Sequence, residues 1–565
     1  MTSLRLRGFL AAACFASALA AGVPAESPEV RTVGRLAVSL VEDAPNPALA
    51  PLRAKLEAAH AAERTDPASR QRILHLSPTY DDPSQFNAII HDPASGEVDE
   101  LRLDAEGAEL SRRSREGYIM PGEGEIELGR AAIFNDPYFG PMLESGEVFY
   151  HEAMPPITVT KEGRRLVNVC ITGGENSITG VTTYNEIAGV DVVTGEVVRY
   201  PENAPPTAIA TRGSCGPNPA SGSGTFTGAV VTVSWPAENP VWNFNVRRPS
   251  QTRSGTPDGR GLELTHVRYQ GRYVLAAAHM PVLNVEYNGD ACGPYRDWLY
   301  QENHFRAPGT DLFPGSATTG FRLASSPSQT ICEDNNDTGT FQGVVFEDLG
   351  DELLIRSECS AGWYRYILEW RLGLNGRVNA VLGFSTTVNS CVCVIRRHHG
   401  YWRYEFAPDG TPNSTTDGLS TLAYLPGDGK ELPIATEQSR IRAAGEKGVV
   451  RMVSADQTIS ATITPGSRDL SAVDDAYAVA DYWFLARNDN EIEDAGSANT
   501  RINLAPYTNG ESVGSAKRSV LWMHSGFLED YQGVPPGGIY CTRIGPTLQF
   551  SIAEPTPPET GVTVQ

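Results

Sequence analysis

The sequence predicts a mainly β protein in which a large C-terminal β-sandwich follows two small α+β domains. The chain has 565 residues, more than one ordinary core can hold. Its 55 glycines and 40 prolines favour many turns and short strands over long helices. From residue 262 to residue 552, short β-type runs alternate with turn clusters, which is typical of a large β-sandwich.

The N-terminal residues have the pattern of a signal peptide. Arg5 and Arg7 supply positive charge, Phe9–Leu19 is apolar, and Ala18-Leu19-Ala20 is a small-x-small cleavage pattern. The apolar run is too short to span a bilayer, and no later run is long enough, so we expect no membrane span. We therefore predict that residues 1–20 are removed and that the protein is periplasmic or secreted.

Two small α+β domains are predicted before the sandwich, over residues 28–115 and 155–248. In the first, residues 47–64 have helical spacing, and strands are expected at 73–76, 86–91 and 97–103. In the second, Arg165–Thr172 is a predicted strand, and Gly189–Tyr200 is a predicted hairpin that turns at Thr194-Gly195. The polar segment Pro249–Gly261 is predicted to be a linker or a long loop.

The predicted sandwich covers residues 262–552. Expected strands include those at 344–346, 352–355, 363–370, 378–384 and 519–522. Helical spacing is scarce, and Asp469–Leu485 is the segment with a helix-like pattern. Residues 553–565 are expected to form a disordered tail.

Charge and cysteine content restrict the protein's partners and its compartment. The formal net charge of −22 argues against nucleic acid as a partner, because its phosphates would be repelled. The same charge suits cationic molecules such as amines, although acidic residues also serve solubility. Beyond the signal segment eight cysteines remain, an even number that predicts disulfide bonds, most simply four, in an oxidising compartment.

Four segments, in the right order, resemble the copper amine oxidases. Gly261–Arg272 (GLELTHVRYQGR) resembles the opening of that family's catalytic domain, and Ile331–Gly339 (ICEDNNDTG) resembles its Ile-Cys segment. Arg356–Tyr366 (RSECSAGWYRY) resembles the strand that bears the cofactor tyrosine, and His398–Gly410 (HHGYWRYEFAPDG) resembles the segment after the paired copper histidines. The resemblance implies a copper amine oxidase-like sandwich and the family's homodimer.

The same resemblance places the cofactor position at Tyr364. In the family a tyrosine in the pattern Thr-x-x-Asn-Tyr-(Asp/Glu) is oxidised to topaquinone with copper and oxygen, and the quinone then accepts electrons from a primary amine. Here Ser360 stands for the threonine, Trp363 for the asparagine and Arg365 for the acidic residue. The alternative for Tyr364 is an ordinary tyrosine in the core of the sandwich.

The copper-ligand positions are more altered. The family's His-x-His pair falls on Arg396 and His398, and its third histidine falls on Glu529. A guanidinium cannot bind a metal cation, so one position is lost outright. His398, with His399 and His524 as replacements, forms the expected metal set, and Glu529 is a further alternative. On a strand, His399 points away from the face that carries His398.

The catalytic base of the family falls on Gln301 or Glu302, and Asp297 is an equally good candidate. With copper and topaquinone in place, the resemblance implies oxidative deamination of a small primary amine by oxygen, giving aldehyde, ammonia and hydrogen peroxide. Two alternatives remain. One is a binding or structural descendant without copper or quinone. The other is an enzyme with different acid–base chemistry, in which Tyr364, Glu302 and His398 act.

Overall fold

The computed structural model describes residues 29–553 with internal gaps, the longest of which are 200–229, 252–260 and 287–295. The predicted signal peptide at 1–20 lies outside the described residues, as does the tail after residue 553. No helix within the described part of the chain is both long and apolar enough to cross a membrane.

The first small unit is a four-stranded sheet packed against one helix. Its elements and the strands that precede it are β1 (Arg31–Val33), β2 (Leu36–Val41), α1 (Leu49–Glu63), β3 (Arg72–Pro78), β4 (Phe86–His91), β5 (Val98–Leu103) and β6 (Glu109–Ser114). Leu52 and Leu56 of α1 are buried against Phe86 and Leu101 because they share one helical face. The helix and the three strands predicted from the sequence are confirmed.

The second small unit packs two helices on another four-stranded sheet. Its elements are α2 (Glu123–Asn135), α3 (Phe139–Ser145), β7 (Val148–Val159), β8 (Arg165–Gly173), β9 (Glu175–Asn176), β10 (Val181–Thr182), β11 (Asn185–Asp191) and β12 (Val197–Arg199). The hairpin between β11 and β12 turns where predicted. Gly195 has φ +72°, a conformation that a residue without Cβ adopts at little cost.

The remaining elements form the sandwich. They are β13 (Val230–Trp235), β14 (Trp242–Arg247), β15 (Glu263–Tyr269), β16 (Arg272–Glu286), β17 (Arg296–Asp297), β18 (His304–Phe305), β19 (Gly309–Asp311), β20 (Phe321–Ala324), α4 (Ile331–Asp334), β21 (Phe341–Gln342), β22 (Val344–Asp348), β23 (Glu352–Ala361), β24 (Tyr364–Gly373), β25 (Arg377–Thr386), β26 (Arg396–Phe406), β27 (Ser420–Leu425), β28 (Leu432–Ile434), β29 (Gln438–Arg440), β30 (Val449–Ser454), β31 (Ile459–Thr464), β32 (Tyr482–Ala486), β33 (Ser519–Glu529), β34 (Thr542–Ile544) and β35 (Thr547–Ile552).

Two large sheets make up this sandwich. One runs in the order β1-β2-β13-β14-β15-β16-β26-β33-β32-β29, with β17 paired to β16. The other runs β19-β20-β22-β23-β24-β25-β35-β31-β30-β27-β28, with β34 paired to β25. Trp402 of the first sheet meets Trp370 of the second, with ring centroids 5.3 Å apart. The two sheets therefore face each other across one continuous core, and the predicted mainly β fold is confirmed.

Sheet membership differs from the predicted domain limits at two places. Strands β1 and β2 precede the first small unit in sequence but extend the first large sheet, where β2 pairs with β13. Strands β13 and β14 belong to the same large sheet, although they lie inside the range predicted for the second small domain. Chain segments far apart in sequence are thus joined by backbone hydrogen bonds, which local patterns do not reveal.

The helix predicted over Asp469–Leu485 is wrong. The segment holds a short 3-10 turn at Ala476–Ala478 and then enters β32, whose five residues are all buried. Pairing with β33 on one side and β29 on the other places β32 inside the sheet. A strand buried on both faces reads as a continuous apolar run, which periodicity cannot distinguish from a buried helix.

One disulfide joins Cys332 to Cys541 across 209 residues, and Cys359 is a free, buried thiol. The described residues therefore do not pair all of the cysteines expected in four disulfides. Cys541 is a partner that no spacing rule would favour, because it is brought to Cys332 only by the folding of the whole sandwich.

Candidate functional site

Tyr364 and Tyr366 lie two residues apart on β24, so both side chains point into the space between the two large sheets. Both tyrosines are almost completely buried. Facing them from β26 is His398, whose ring meets the Tyr364 ring edge-on with centroids 5.0 Å apart. Phe384 and Phe527 pack on the same imidazole at 4.4 and 4.7 Å. The predicted Tyr364 and His398 are thus brought together in an aromatic setting.

A chain of hydrogen bonds runs through this site. The Tyr366 hydroxyl donates to an Asp297 carboxylate oxygen, and it lies 3.0 Å from Nδ1 of His398. Nε2 of His398 lies 3.0 Å from Oε2 of Glu529. The order along the chain is Asp297, Tyr366, His398, Glu529. Both ring nitrogens of His398 are therefore engaged by protein side chains.

The pKa shifts of His398, Glu529 and Tyr366 all favour the neutral form of each side chain. Burial, with the Arg396 charge as a second cause, holds the pKa of His398 well below its usual value. Burial also raises the pKa of Glu529 well above its usual range, which the Arg396 charge and a hydrogen bond from Tyr364 oppose only in part. The pKa of the Tyr366 phenol is raised by burial and then by the Asp297 charge.

These directions agree with one polarity for the whole chain. Since Tyr366 donates to Asp297, its oxygen accepts from Nδ1–H of His398. A neutral imidazole then has only a lone pair at Nε2, so the Glu529 carboxyl must be protonated and donate. Each O–H and N–H of this hydrogen-bonded series is thereby donated to an acceptor, as a fully buried polar network requires.

Arg396 and Glu529 complete the three positions that correspond to copper ligands. They stand directly opposite each other in the antiparallel pairing of β26 with β33. Arg396 lies two residues before His398, on the same face of its strand, and is fully buried. The three positions therefore do converge in space, but they carry a guanidinium, an imidazole and a carboxyl group.

Copper does not fit these residues. An arginine side chain offers only donors and cannot ligate a cation, and both nitrogens of His398 already have partners. Copper would need several neutral nitrogen ligands at one point. Across the described residues, no group of three or more histidine, cysteine, aspartate or glutamate side chains could hold a metal ion.

His399 and His524 do not join His398. They lie on the other side of the first large sheet, where Nδ1 of His399 is 3.0 Å from Nε2 of His524. Their remaining nitrogens face carboxylates, with His399 3.4 Å from Asp475 and His524 3.6 Å from Asp481. The expected set of three histidines is therefore split between the two faces of the sheet, as the alternation of side chains along a strand dictates.

Glu302 is engaged elsewhere. Its carboxylate accepts from both ends of the Arg248 guanidinium and from the Ser250 hydroxyl at 3.0 Å, with Arg248 and Glu302 both buried. Asp297, the alternative base suggested by the sequence, is the carboxylate that contacts Tyr366. The structure thus brings Asp297 into the site and gives Glu302 an ion pair of its own.

Tyr366 is the member of the site that sequence reasoning missed. It stands two residues after Tyr364 in the predicted strand, and that spacing alone predicts a common face. The spacing could not show that Tyr366, rather than Tyr364, contacts His398 through its hydroxyl.

Comparisons with known proteins agree with this fold. No protein-family model matches the chain, and a search of curated proteins found no similar sequence. Among solved structures, a copper-containing benzylamine oxidase from Hansenula polymorpha is 12% identical, with a TM-score of 0.56, over 90% of this chain and 97% of that one. A lysyl oxidase from Pichia pastoris is 12% identical, with a TM-score of 0.48, over 88% of this chain and 89% of that one. The chain therefore has the copper amine oxidase fold.

Proposed function

We propose that this chain is an exported, non-catalytic descendant of the copper amine oxidase fold, which has lost copper and quinone and serves in binding or structure. The observation that carries the proposal is the content of the three ligand positions. Arg396, His398 and Glu529 close on one another and on Tyr366, so they leave no set of nitrogens for a metal. Without copper, Tyr364 would lack the metal that promotes its oxidation by oxygen to a quinone.

The charge of the chain bears on what it would bind. A net charge of −22 attracts cationic molecules and repels nucleic acid. Export, predicted from the N-terminal signal pattern, and the homodimer implied by the resemblance belong to the same proposal. A binding protein of this kind would keep the fold's large sheets while its former reaction centre serves as part of the core.

Oxidative deamination of primary amines to aldehyde, ammonia and hydrogen peroxide is the second candidate. It is favoured by the fold and by the position of Tyr364, whose ring packs against His398. In that case Tyr364 would carry the quinone and Asp297 would be nearer to the reaction than Glu302. The substitutions at Arg396 and Glu529 stand against this candidate.

The test uses the full-length protein, produced in a periplasm with added copper and exposed to air. Metal content is measured after gel filtration, quinone by redox staining of the denatured chain, and peroxide with a panel of primary amines. We expect copper far below one per chain, no stain and no amine-dependent peroxide. A stain that disappears in the Tyr364→Phe variant, together with peroxide formation, would establish the oxidase instead.

A further inference from the structure

We propose that the buried carboxyl group of Glu358 holds a proton at neutral pH. Residues 331–339, which we call the α4 segment, are attached to the second large sheet through this group. Loss of the proton at higher pH therefore loosens the α4 segment, which makes the attachment a pH-sensitive element of the fold. The proposal concerns the face of the sheet that is turned away from the sandwich core, and it does not depend on the proposed function.

The α4 segment contacts this face of the sheet at two points. Glu358 of β23 and Arg365 of β24 point to the same side, away from the core. The backbone N–H of Ile331 donates to Glu358 at 2.9 Å, and Asp337 forms an ion pair with Arg365 at 2.9 Å. The side-chain amide of Asn303 joins the two points, because it donates to Asp337 at 2.8 Å and to Glu358 at 2.6 Å. All four of these side chains are buried.

The carboxyl group of Glu358 forms no ion pair with the residues that the structure describes. Its hydrogen bonds come from the Asn303 amide and the Ile331 backbone N–H, and both donors are neutral. A buried carboxyl group without a cation is tolerated only in its neutral form. The Asp337 carboxylate, held by the same amide, would also repel a second negative charge. Geometry and charge therefore assign the proton to Glu358.

Opposing effects act on the Glu358 carboxyl group, and burial prevails. Burial and then the Asp337 charge raise its pKa, whereas the two hydrogen bonds and the Arg365 charge lower it. The balance raises the pKa of Glu358 from 4.5 to about 8. Between these pH values the closed form binds more protons than an opened form in which Glu358 is solvated. The attachment is therefore strongest at the acidic end of this range and weakens as the pH rises.

The other charged groups on the neighbouring elements are engaged in ion pairs of their own. These pairs are Arg356–Glu369, Arg356–Glu333, Arg306–Asp334 and Arg248–Glu302. The Cys359 thiol, next to Glu358 in sequence, is kept neutral because burial raises its pKa well above the usual value. The pH dependence of the attachment is thus expected to follow Glu358 and its neighbour Asp337.

A disulfide limits how far the α4 segment can move. Cys332 lies within the segment and is joined to Cys541, so the segment stays tethered when its contacts with Glu358 weaken. Loosening is therefore a local and reversible opening rather than unfolding of the sandwich. Since the protein is predicted to be exported, this opening would respond to the pH of the surroundings.

The experiment compares the wild type with Glu358→Gln, which keeps the side-chain shape and stays neutral at every pH. Glu369→Gln is the matched control, because Glu369 is an equally buried glutamate of the adjacent strand that is paired with Arg356. Hydrogen exchange of the peptide that covers residues 331–339 is measured by mass spectrometry from pH 5 to pH 8. Proteins are compared at the same pH, so that the intrinsic pH dependence of exchange cancels.

We expect the opening of this peptide in the wild type, relative to Glu358→Gln, to increase on the order of a few hundredfold from pH 5 to pH 8. One proton released per opening gives up to about tenfold per pH unit. Glu369→Gln should keep the pH dependence of the wild type. A constant ratio of wild type to Glu358→Gln overturns the proposal, as does equal loss of the pH dependence in Glu369→Gln.

The wild type alone provides a second measurement in case Glu358→Gln does not fold. Exchange in the 331–339 peptide is then compared with exchange in a peptide from β31 of the same protein. We expect protection of the 331–339 peptide to fall relative to β31 between pH 5 and pH 8. An unchanged ratio of the two peptides contradicts the proposal.

Discussion

Removing the hydroxyl group of Tyr364 and that of Tyr366, in two separate variants, tests which of the two hydroxyls stabilises the site. Tyr366→Phe deletes the oxygen that joins Asp297 to His398, whereas Tyr364→Phe deletes an oxygen that acts on Glu529 by lowering the pKa of its carboxyl group. The two substitutions are chemically identical, lie two residues apart on one strand and leave both rings in the core. Any difference between them therefore reports on the hydrogen bonds.

The structure gives the size of the expected difference. In Tyr366→Phe, the Asp297 carboxylate loses a donor and Nδ1–H of His398 loses its acceptor. A hydrogen bond to a charged group contributes roughly 1.5–3 kcal/mol, and a buried N–H that loses its acceptor costs roughly 1–3 kcal/mol, so the variant should lose about 2–6 kcal/mol of unfolding free energy. In Tyr364→Phe, Glu529 keeps its bond to His398, so the loss should be no more than about 1 kcal/mol, the net value of one ordinary hydrogen bond.

Urea unfolding followed by tryptophan fluorescence measures this difference. All eight tryptophans lie between residues 235 and 522, so their emission reports on the sandwich rather than on the small units. We expect the midpoint of Tyr366→Phe to fall well below that of Tyr364→Phe at an unchanged slope. The reasoning fails if Tyr364→Phe is at least as destabilised as Tyr366→Phe, because the hydroxyl of Tyr364 would then contribute at least as much to stability.

Three further predictions follow from the same structure. The double variant Arg396→His with Glu529→His places two more imidazoles beside that of His398, so it should retain about one copper per chain by metal analysis. A copper content no higher than that of the wild type would contradict the assignment of these positions as former copper ligands. Glu302→Gln leaves the buried Arg248 guanidinium without its carboxylate and should cost about 3–5 kcal/mol in urea unfolding, whereas a neutral effect would show that the pair is not structural. Burial, then the charge of a nearby arginine, lowers the pKa of His91 from 6.5 to about 4. Between these pH values the unfolded protein binds more protons than the folded protein, so the free energy of unfolding should fall by about 3 kcal/mol as the pH drops from 6.5 to 4. This loss, measured by circular dichroism, should be smaller in His91→Gln.

Much of the fold could be predicted because local patterns and turn chemistry act over a few residues. The hairpin at Gly195 and helix α1 are examples, since each depends on residues that are neighbours in sequence. The helix wrongly predicted over Asp469–Leu485 and the Cys332–Cys541 disulfide depend instead on the pairing of strands far apart in the chain. No single-sequence pattern carries that information.

The candidate site was predictable in part for the same reason. Alternation along a strand correctly separates His399 from His398 and places Arg396 beside His398. It cannot place Asp297, which reaches Tyr366 through a short strand after a gap in the described chain, nor can it exclude Glu302, whose partner Arg248 is 54 residues away. Spacing thus identified the positions, and only the three-dimensional structure distinguished the carboxylate in the site from the one outside it.

The two altered ligand positions, Arg396 and Glu529, are best understood together with the histidine that is retained, His398. A single histidine-to-arginine replacement beside two imidazoles would bury a guanidinium with no anion, which is strongly unfavourable in a low-dielectric core. A single histidine-to-glutamate replacement would bury a carboxyl group with no compensating charge. Arg396 and Glu529 stand opposite each other in register, where the Arg396 charge opposes the rise that burial causes in the pKa of Glu529, and His398 links Glu529 to Tyr366.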